Sequence, residues 1–164
     1  MAAKKGATPA IQALDRAGLT YRTHTYDFDD SSGRIGLQAA VALNVEPARL
    51  LKCVMLHIEG GGRNHLANAL LASDREIDLK AVARALAAKR TTVAELTAAE
   101  RATGYVKGGI SPFGQKNRHL CLLDEAALAF ETILVNGGRR GLQIELSPRD
   151  LAAALKAVLA PIGR

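Results

Sequence analysis

A chain of 164 residues with no internal repeat and no long linker has room for one hydrophobic core of useful size, so a single domain over residues 1–164 is expected. Apolar residues make up 48% of it but aromatic residues only 4%, which leaves Ala, Leu, Val and Ile to fill the core and excludes recognition by a row of stacked aromatics. Lys and Arg number 22 against 16 Asp and Glu, a net charge of +6 that suits a polyanionic partner and equally suits plain solubility.

Residues 1–7 carry positive charge with no apolar stretch behind it, so they read as a flexible N-terminal tail and not as a secretory signal. Thr8-Pro9 followed by Ala-Ile-Gln-Ala-Leu and closed by Gly18 predicts a first helix, with Thr8 as cap and Pro9 in the first helical position. Thr20 to Phe28 reads as a strand and Arg34 to Leu43 as a second helix.

The run Leu50 to Ile58 is apolar on both parities of a strand apart from Lys52 and His57, the pattern of a central strand covered on both faces. A turn at residues 59–62 and a partner strand over His65 to Ser73 complete a hairpin. Asp78 is placed to cap a helix through Leu86, and Thr97-Ala-Ala-Glu100 has capping-box spacing for a short helix before Gly104. Strands are expected over His119–Asp124, Thr132–Asn136 and Leu142–Leu146, and Ser147-Pro148 opens a terminal helix to about Leu159. Helices and strands are interspersed with hairpins, which favours an α+β fold built on a mixed, strongly curved sheet.

Lys52 is the most informative anomaly. A charged amine within an apolar strand costs several kcal/mol unless it is paired, solvated in a cleft or neutralised. A binding cleft beside the strand explains it, and so does a lysine whose stem packs while its head reaches water. Gly108-Gly109-Ile110-Ser111-Pro112-Phe113-Gly114 suits a loop whose backbone closely approaches a ligand, though a tight surface turn has the same composition. It lacks the strand-to-helix setting of a nucleotide-binding loop. Gly137-Gly138-Arg139-Arg140-Gly141 combines backbone freedom with two guanidinium groups able to meet phosphates, or forms an exposed basic hairpin. Lys107, Lys116 and Arg118 add charge around the first loop.

The four histidines are scattered, and Cys53 and Cys121, the only cysteines, complete no ligand set with them. Neither metal nor cofactor is expected. Both cysteines sit in apolar strands and read as packed thiols suited to a reducing cytoplasm. No Gly-x-Ser-x-Gly elbow surrounds any serine, and no segment reaches the ~20 apolar residues that cross a bilayer.

Several segments in order resemble the bacterial YbaK-type Cys-tRNA(Pro) deacylases, related to the editing domain inserted in many prolyl-tRNA synthetases. They are His24-Thr25-Tyr26, Leu51-Lys52, Asp78-Leu79-Lys80, Thr103-Gly104-Tyr105, Gly108 to Pro112 with Gly114-Gln115-Lys116, and Gly137-Gly138 with Arg140-Gly141. The resemblance implies a barrel-like mixed sheet flanked by helices and hydrolysis of the ester joining a wrong amino acid to tRNA(Pro). It also implies a transient complex with prolyl-tRNA synthetase. Lys52, Gly108, Gly109 and Ser111 are the catalytic candidates that follow. Tyr26, Cys53, Ile110, Pro112, Asn136, Gly137, Gly138 and Gln143 are the substrate-binding ones. For a cysteinyl ester the family picture has the substrate's own thiol attack its carbonyl. Cys53, Asn136 and Gln143 depart from the family pattern, where threonine, serine and aspartate are common, which leaves alanyl-tRNA(Pro) as an alternative substrate. A non-catalytic tRNA- or synthetase-binding module is the alternative of another class.

Overall fold

The computed structural model describes residues 7–29, 31, 34–60 and 65–164. The expected tail thus lies, up to Gly6, outside the described residues, as do Gly61 and Gly62 of the expected turn. Helix α1 (Pro9–Arg16) is capped as its sequence predicts: the Thr8 hydroxyl accepts from the Ile11 N–H at 3.2 Å and donates to the Gly137 carbonyl. That second bond fastens the start of the helix to a loop 129 residues away. Strand β1 (Arg22–Thr25) and helix α2 (Ile35–Leu43) follow, the latter closed by Asn44 in the left-handed conformation.

Strands β2 (Leu51–Glu59) and β3 (His65–Ala72) form the antiparallel hairpin, with Lys52 opposite Leu71 and Ile58 opposite His65. Helix α3 (Leu79–Leu86) takes Asp78 as its cap, the carboxylate accepting from the Ala81 N–H at 3.0 Å. Strand β4 (Arg90–Val93), not anticipated from the sequence, pairs antiparallel with the end of β2, and Arg90 forms an ion pair with Glu59 at 2.8 Å.

Helix α4 (Leu96–Thr103) starts slightly earlier than Thr97 suggests. Glu95 is its cap residue without a side-chain bond, and Glu100 reaches instead to the Lys107 N–H at 3.1 Å, so no capping box forms. After β5 (Leu120–Asp124) comes a short 3-10 turn, Glu125–Ala129, then the hairpin of β6 (Ile133–Asn136) and β7 (Leu142–Leu146). The terminal helix, expected to about Leu159, is α5 (Pro148–Leu155) and stops at Lys156, whose φ of 50° closes it. The apolar residues beyond become β8 (Val158–Ala160), parallel to β5. Their alternative as helix loses because Leu122 to Asp124 offers a strand edge to pair with.

The strands form two sheets: β4-β2-β3-β5-β8, with antiparallel and parallel pairs, and the antiparallel β1-β7-β6. A parallel bridge between Leu50 and Leu134 joins them, so the mixed, curved sheet is realised as two sheets meeting at one seam. The largest core cluster draws Leu51, Leu70 and Leu123 from one sheet and Ile133, Val135, Ile144 and Leu146 from the other, with Leu14 and Leu151 of the flanking helices. Beside the seam, Glu145 receives His24 at 2.8 Å and Arg49 at 3.1 Å, together with the Thr132 hydroxyl, and so ties both sheets.

Candidate active site

Strand β4 pairs with β2 only from Leu56 to Glu59. Between the Leu50 bridge and Leu56, the edge of β2 that faces away from β3 is therefore uncovered by any strand among the described residues. A cavity of about 460 Å³ opens there. The open edge explains why consecutive residues, Leu51 to Met55, all line it, although alternate strand side chains point to opposite faces. The other walls are Ile35 and Gly36 of α2, Gly108 and Ile110 of the glycine loop, Asn136 at the end of β6 and Gln143 of β7. Val93, Leu96 and Lys107 stand at the same cavity.

Lys52 thus belongs to a cleft. Burial lowers its pKa below the ordinary lysine range, while the carboxylates of Glu76 and Asp74 pull it back up without contact. Among the described residues it forms no ion pair. An amine so placed is a donor held ready for a developing negative charge.

Cys53 also lines the cavity, but its Sγ donates to Asn68 Oδ1 at 3.3 Å and burial pushes its thiol pKa up. Cys121 is likewise pushed up by burial, to about 12. Neither has the depressed pKa of a nucleophilic thiol.

The two glycine loops, far apart in sequence, are one structure. Asn136 donates from Nδ2 to the Gly108 carbonyl at 2.9 Å and accepts from the Gly138 N–H at 2.7 Å. Arg140 donates from Nε to the Lys107 carbonyl at 2.9 Å, and its guanidinium lies 5.3 Å over the Phe28 ring. Gly108 has φ of 82°, and a Cβ at Gly109 would stand 3.0 Å from the Arg139 Cα. Only glycine permits this approach without a shift.

Gly109, Ser111, Pro112, Gly137 and Gly138 do not line the cavity and stand behind it. Ser111 is 0% exposed, its hydroxyl accepting from the Phe113 N–H at 3.2 Å. Tyr105 donates to the Phe113 carbonyl at 2.6 Å, and Gln115 to the Ser111 carbonyl at 2.9 Å. Tyr26 packs on Leu50 and Leu134 next to the cavity, its hydroxyl buried and without a partner among the described residues. Gln143, 3% exposed, lines the cavity and has a buried Oε1 without a partner among the described residues.

Sequence reasoning passed over Val54, Met55, Ile35 and Asn68. Asn68 carried a signal, being the lone amide in the apolar His65–Ser73 run. It bonds reciprocally with Gln115, at 3.0 and 2.7 Å, and so steadies the loop. Among the described residues no group of three or more His, Cys, Asp or Glu is arranged to hold a metal, and no helix is long and apolar enough to cross a membrane.

The sequence profile named "Aminoacyl-tRNA editing domain" matches residues 37–154. The chain is 30% identical over 156 residues to the Enterococcus faecalis protein called "Putative Cys-tRNA(Pro)/Cys-tRNA(Cys) deacylase EbsC", covering 94% of this chain and 92% of that one. It superposes on the crystal structure of "hypothetical protein APE2540" with a TM-score of 0.81 at 20% identity, covering 95% of this chain and 99% of that one. It also superposes on that of "a putative trans-editing enzyme for prolyl tRNA synthetase" with a TM-score of 0.77 at 22% identity, covering 95% of each. At such identities the superpositions speak to the fold alone.

Proposed function

Because the chain belongs to the aminoacyl-tRNA editing domain family, whose members are aminoacyl-tRNA deacylases, we propose that it cleaves the ester of mischarged cysteinyl-tRNA(Pro) in its cavity. The observation carrying this reading is that Lys52, Gly108 and Asn136 line one cavity, on an open strand edge.

The chemistry asks little of the protein beyond placement. The cysteinyl thiol forms a bond to its own ester carbonyl, the ester C–O bond breaks, and the thiol proton passes to the leaving ribose oxygen. Cysteine departs as a cyclic thioester that water opens. In the tetrahedral state negative charge grows on the former carbonyl oxygen, and a desolvated ammonium at Lys52 stabilises it more than the neutral ground state. The apolar walls from Leu50, Met55 and Ile110 exclude water and hold the side chain over the carbonyl. Ser111, whose hydroxyl is committed to Phe113, shapes the loop.

Cys53, Asn136 and Gln143, the departures from the family pattern, all line the cavity. That favours alanyl-tRNA(Pro), cleaved by water, as the second reading. Specificity for tRNA(Pro) is supplied by a transient complex with prolyl-tRNA synthetase, which releases such products because selection by size alone is weak.

Single-turnover deacylation of cysteinyl-, alanyl- and prolyl-tRNA(Pro), by wild type and Lys52→Ala, tests the proposal. Loss of the cysteinyl ester alone, abolished by the substitution, is the expected result. Preference for the alanyl ester reassigns the substrate. RNA binding without hydrolysis of any ester leaves a non-catalytic module.

A further inference from the structure

A second cavity, of about 530 Å³, opens where β3 and β5 begin and α5 ends. His65, Arg118, His119 and Lys156 line it, and among the described residues no acidic one does. Arg118 and Lys156 are exposed, whereas the imidazoles are half-buried. The Nδ1 of His65 is fully buried and has no hydrogen-bond partner among the described residues. Such a group calls for a ligand or water to satisfy it. Four nitrogen-bearing side chains around a cavity free of carboxylates form a receptor for an oxyanion.

A chain of side-chain hydrogen bonds runs from this cavity to the wall of the first. His119 donates from Nδ1 to Gln115 Oε1 at 2.8 Å, since the Gln115 Nε2 is committed to Asn68 and Ser111. Asn68 in turn receives the Cys53 thiol at the wall of the first cavity. Cys121, opposite Asn68 across the β3–β5 pair, reaches the second cavity. By strand register Cys53, Asn68 and Cys121 share one face of the sheet, and Lys52 and His65 share the other. Along β3, Leu71 lies opposite Lys52 and His65 opposite Ile58, six residues further, or roughly 20 Å at strand rise. A nucleic-acid strand carries one phosphate per nucleotide, so a strand whose end lies in the first cavity has several backbone phosphates within that distance.

We propose that the second cavity binds a backbone phosphate of the RNA whose aminoacylated end occupies the first. The inference rests on the editing reading for the direction of the RNA, but the anion chemistry is read from the cavity itself. Arg118 and Lys156 attract the phosphodiester, and His65 and His119 contact its oxygens from within. A free phosphate has the same oxygens, so the test separates the two sources.

The full-length protein, labelled at histidine, is titrated with an unacylated RNA hairpin ending in CCA and separately with inorganic phosphate, while the imidazole signals of His65 and His119 are followed by NMR. The hairpin is expected to shift both signals at concentrations where inorganic phosphate does not. The Arg118→Gln, Lys156→Gln double variant alters only exposed groups. It should bind the hairpin several-fold more weakly, with the slope of log K against log salt reduced by about 0.9 for each phosphate no longer neutralised. Its cleavage of a minimal cysteinyl ester lacking the RNA stem should match wild type. Imidazole signals unmoved by the hairpin, or unchanged affinity in the double variant, overturn the proposal. Shifts caused by inorganic phosphate alone assign the cavity to a free anion and also overturn it. Binding is read here without turnover, so a protein that binds the hairpin through these residues but cleaves no ester loses the deacylase reading and keeps this one.

Discussion

Asn136 Nδ2 donates to the Gly108 carbonyl at 2.9 Å across 28 residues of sequence, and the same amide receives the Gly138 N–H. One amide thus joins both glycine loops at the cavity wall, beside the Arg140 bond to the Lys107 carbonyl.

Asn136→Asp keeps an acceptor for Gly138 and turns a second oxygen against the Gly108 carbonyl. The cost is expected at about 1–3 kcal/mol, the penalty for a lost donor facing a desolvated acceptor. Cleavage should fall by more than the stability loss explains, on the order of 10²-fold, because the loop shifts relative to Lys52. Thermal unfolding together with single-turnover kinetics measures both.

Lys52→Met removes the amine and keeps much of the stem's bulk. Cleavage is expected to drop about 10²- to 10³-fold, as when a single donor to an oxyanion is lost. Burial lowers the folded-state pKa of Lys52 below its unfolded value, so the unfolded chain binds more protons in the window between the two. Stability of the wild type therefore rises relative to the variant as pH climbs through that alkaline window, below the ordinary lysine value of 10.5. Denaturant titrations of both proteins across alkaline pH check the sign.

Glu145 is held below the usual glutamate range by the Thr132 hydroxyl first, and then by His24 and Arg49. A depressed carboxylate contributes stability that is present above its unfolded value, near 4.5, and is lost as pH falls through the folded value. Glu145→Gln should cost about 1–2 kcal/mol at neutral pH, given that the cluster is only partly buried. It should also flatten the acid limb of the stability curve. Unfolding midpoints between neutral and acid pH report both effects.

Ser111→Ala removes a hydroxyl that accepts from the Phe113 N–H and does not line the cavity. A loss of about 1 kcal/mol is expected. Turnover should stay within about threefold of wild type, since a buried hydroxyl committed to Phe113 and off the cavity wall takes no direct part. A collapse of cleavage in a folded variant would instead make Ser111 a catalytic group.

Local chemistry made much of this molecule legible in advance. Thr8-Pro9 and Asp78 announce their helices because a cap is satisfied within three residues. Lys52 announces a cleft because its charge contradicts the apolar strand around it. What local pattern could not give was the competition for partners. Thr97 had cap spacing, but α4 takes Glu95 instead. Val158 to Ala160 suits helix or strand, and the free edge of β5 decides for strand. Arg90-Thr-Thr-Val93 has the β-branched composition of a strand, yet it becomes one only beside β2. The meeting of Asn136 with Gly108, and of Asn68 with Gln115, depends on how separate elements pack, which no periodicity encodes. The resemblance to an enzyme family supplied the residues; the folded chain shows which of them line the cavity and which stand behind it.

The uncovered edge of β2 has a cost outside catalysis. A bare strand edge is a template on which another chain can add its own strand, and proteins commonly guard such edges with a charge, lysine above all. Leu51 to Met55 would be a strongly adhesive segment were it not recessed among α2, the glycine loop and β7, and were Lys52 not in its middle. The lysine of the cavity is thus also placed as a gatekeeper against self-association. Its replacement by an apolar residue would forfeit solubility along with turnover, a loss that light scattering of Lys52→Met would reveal beside the kinetics.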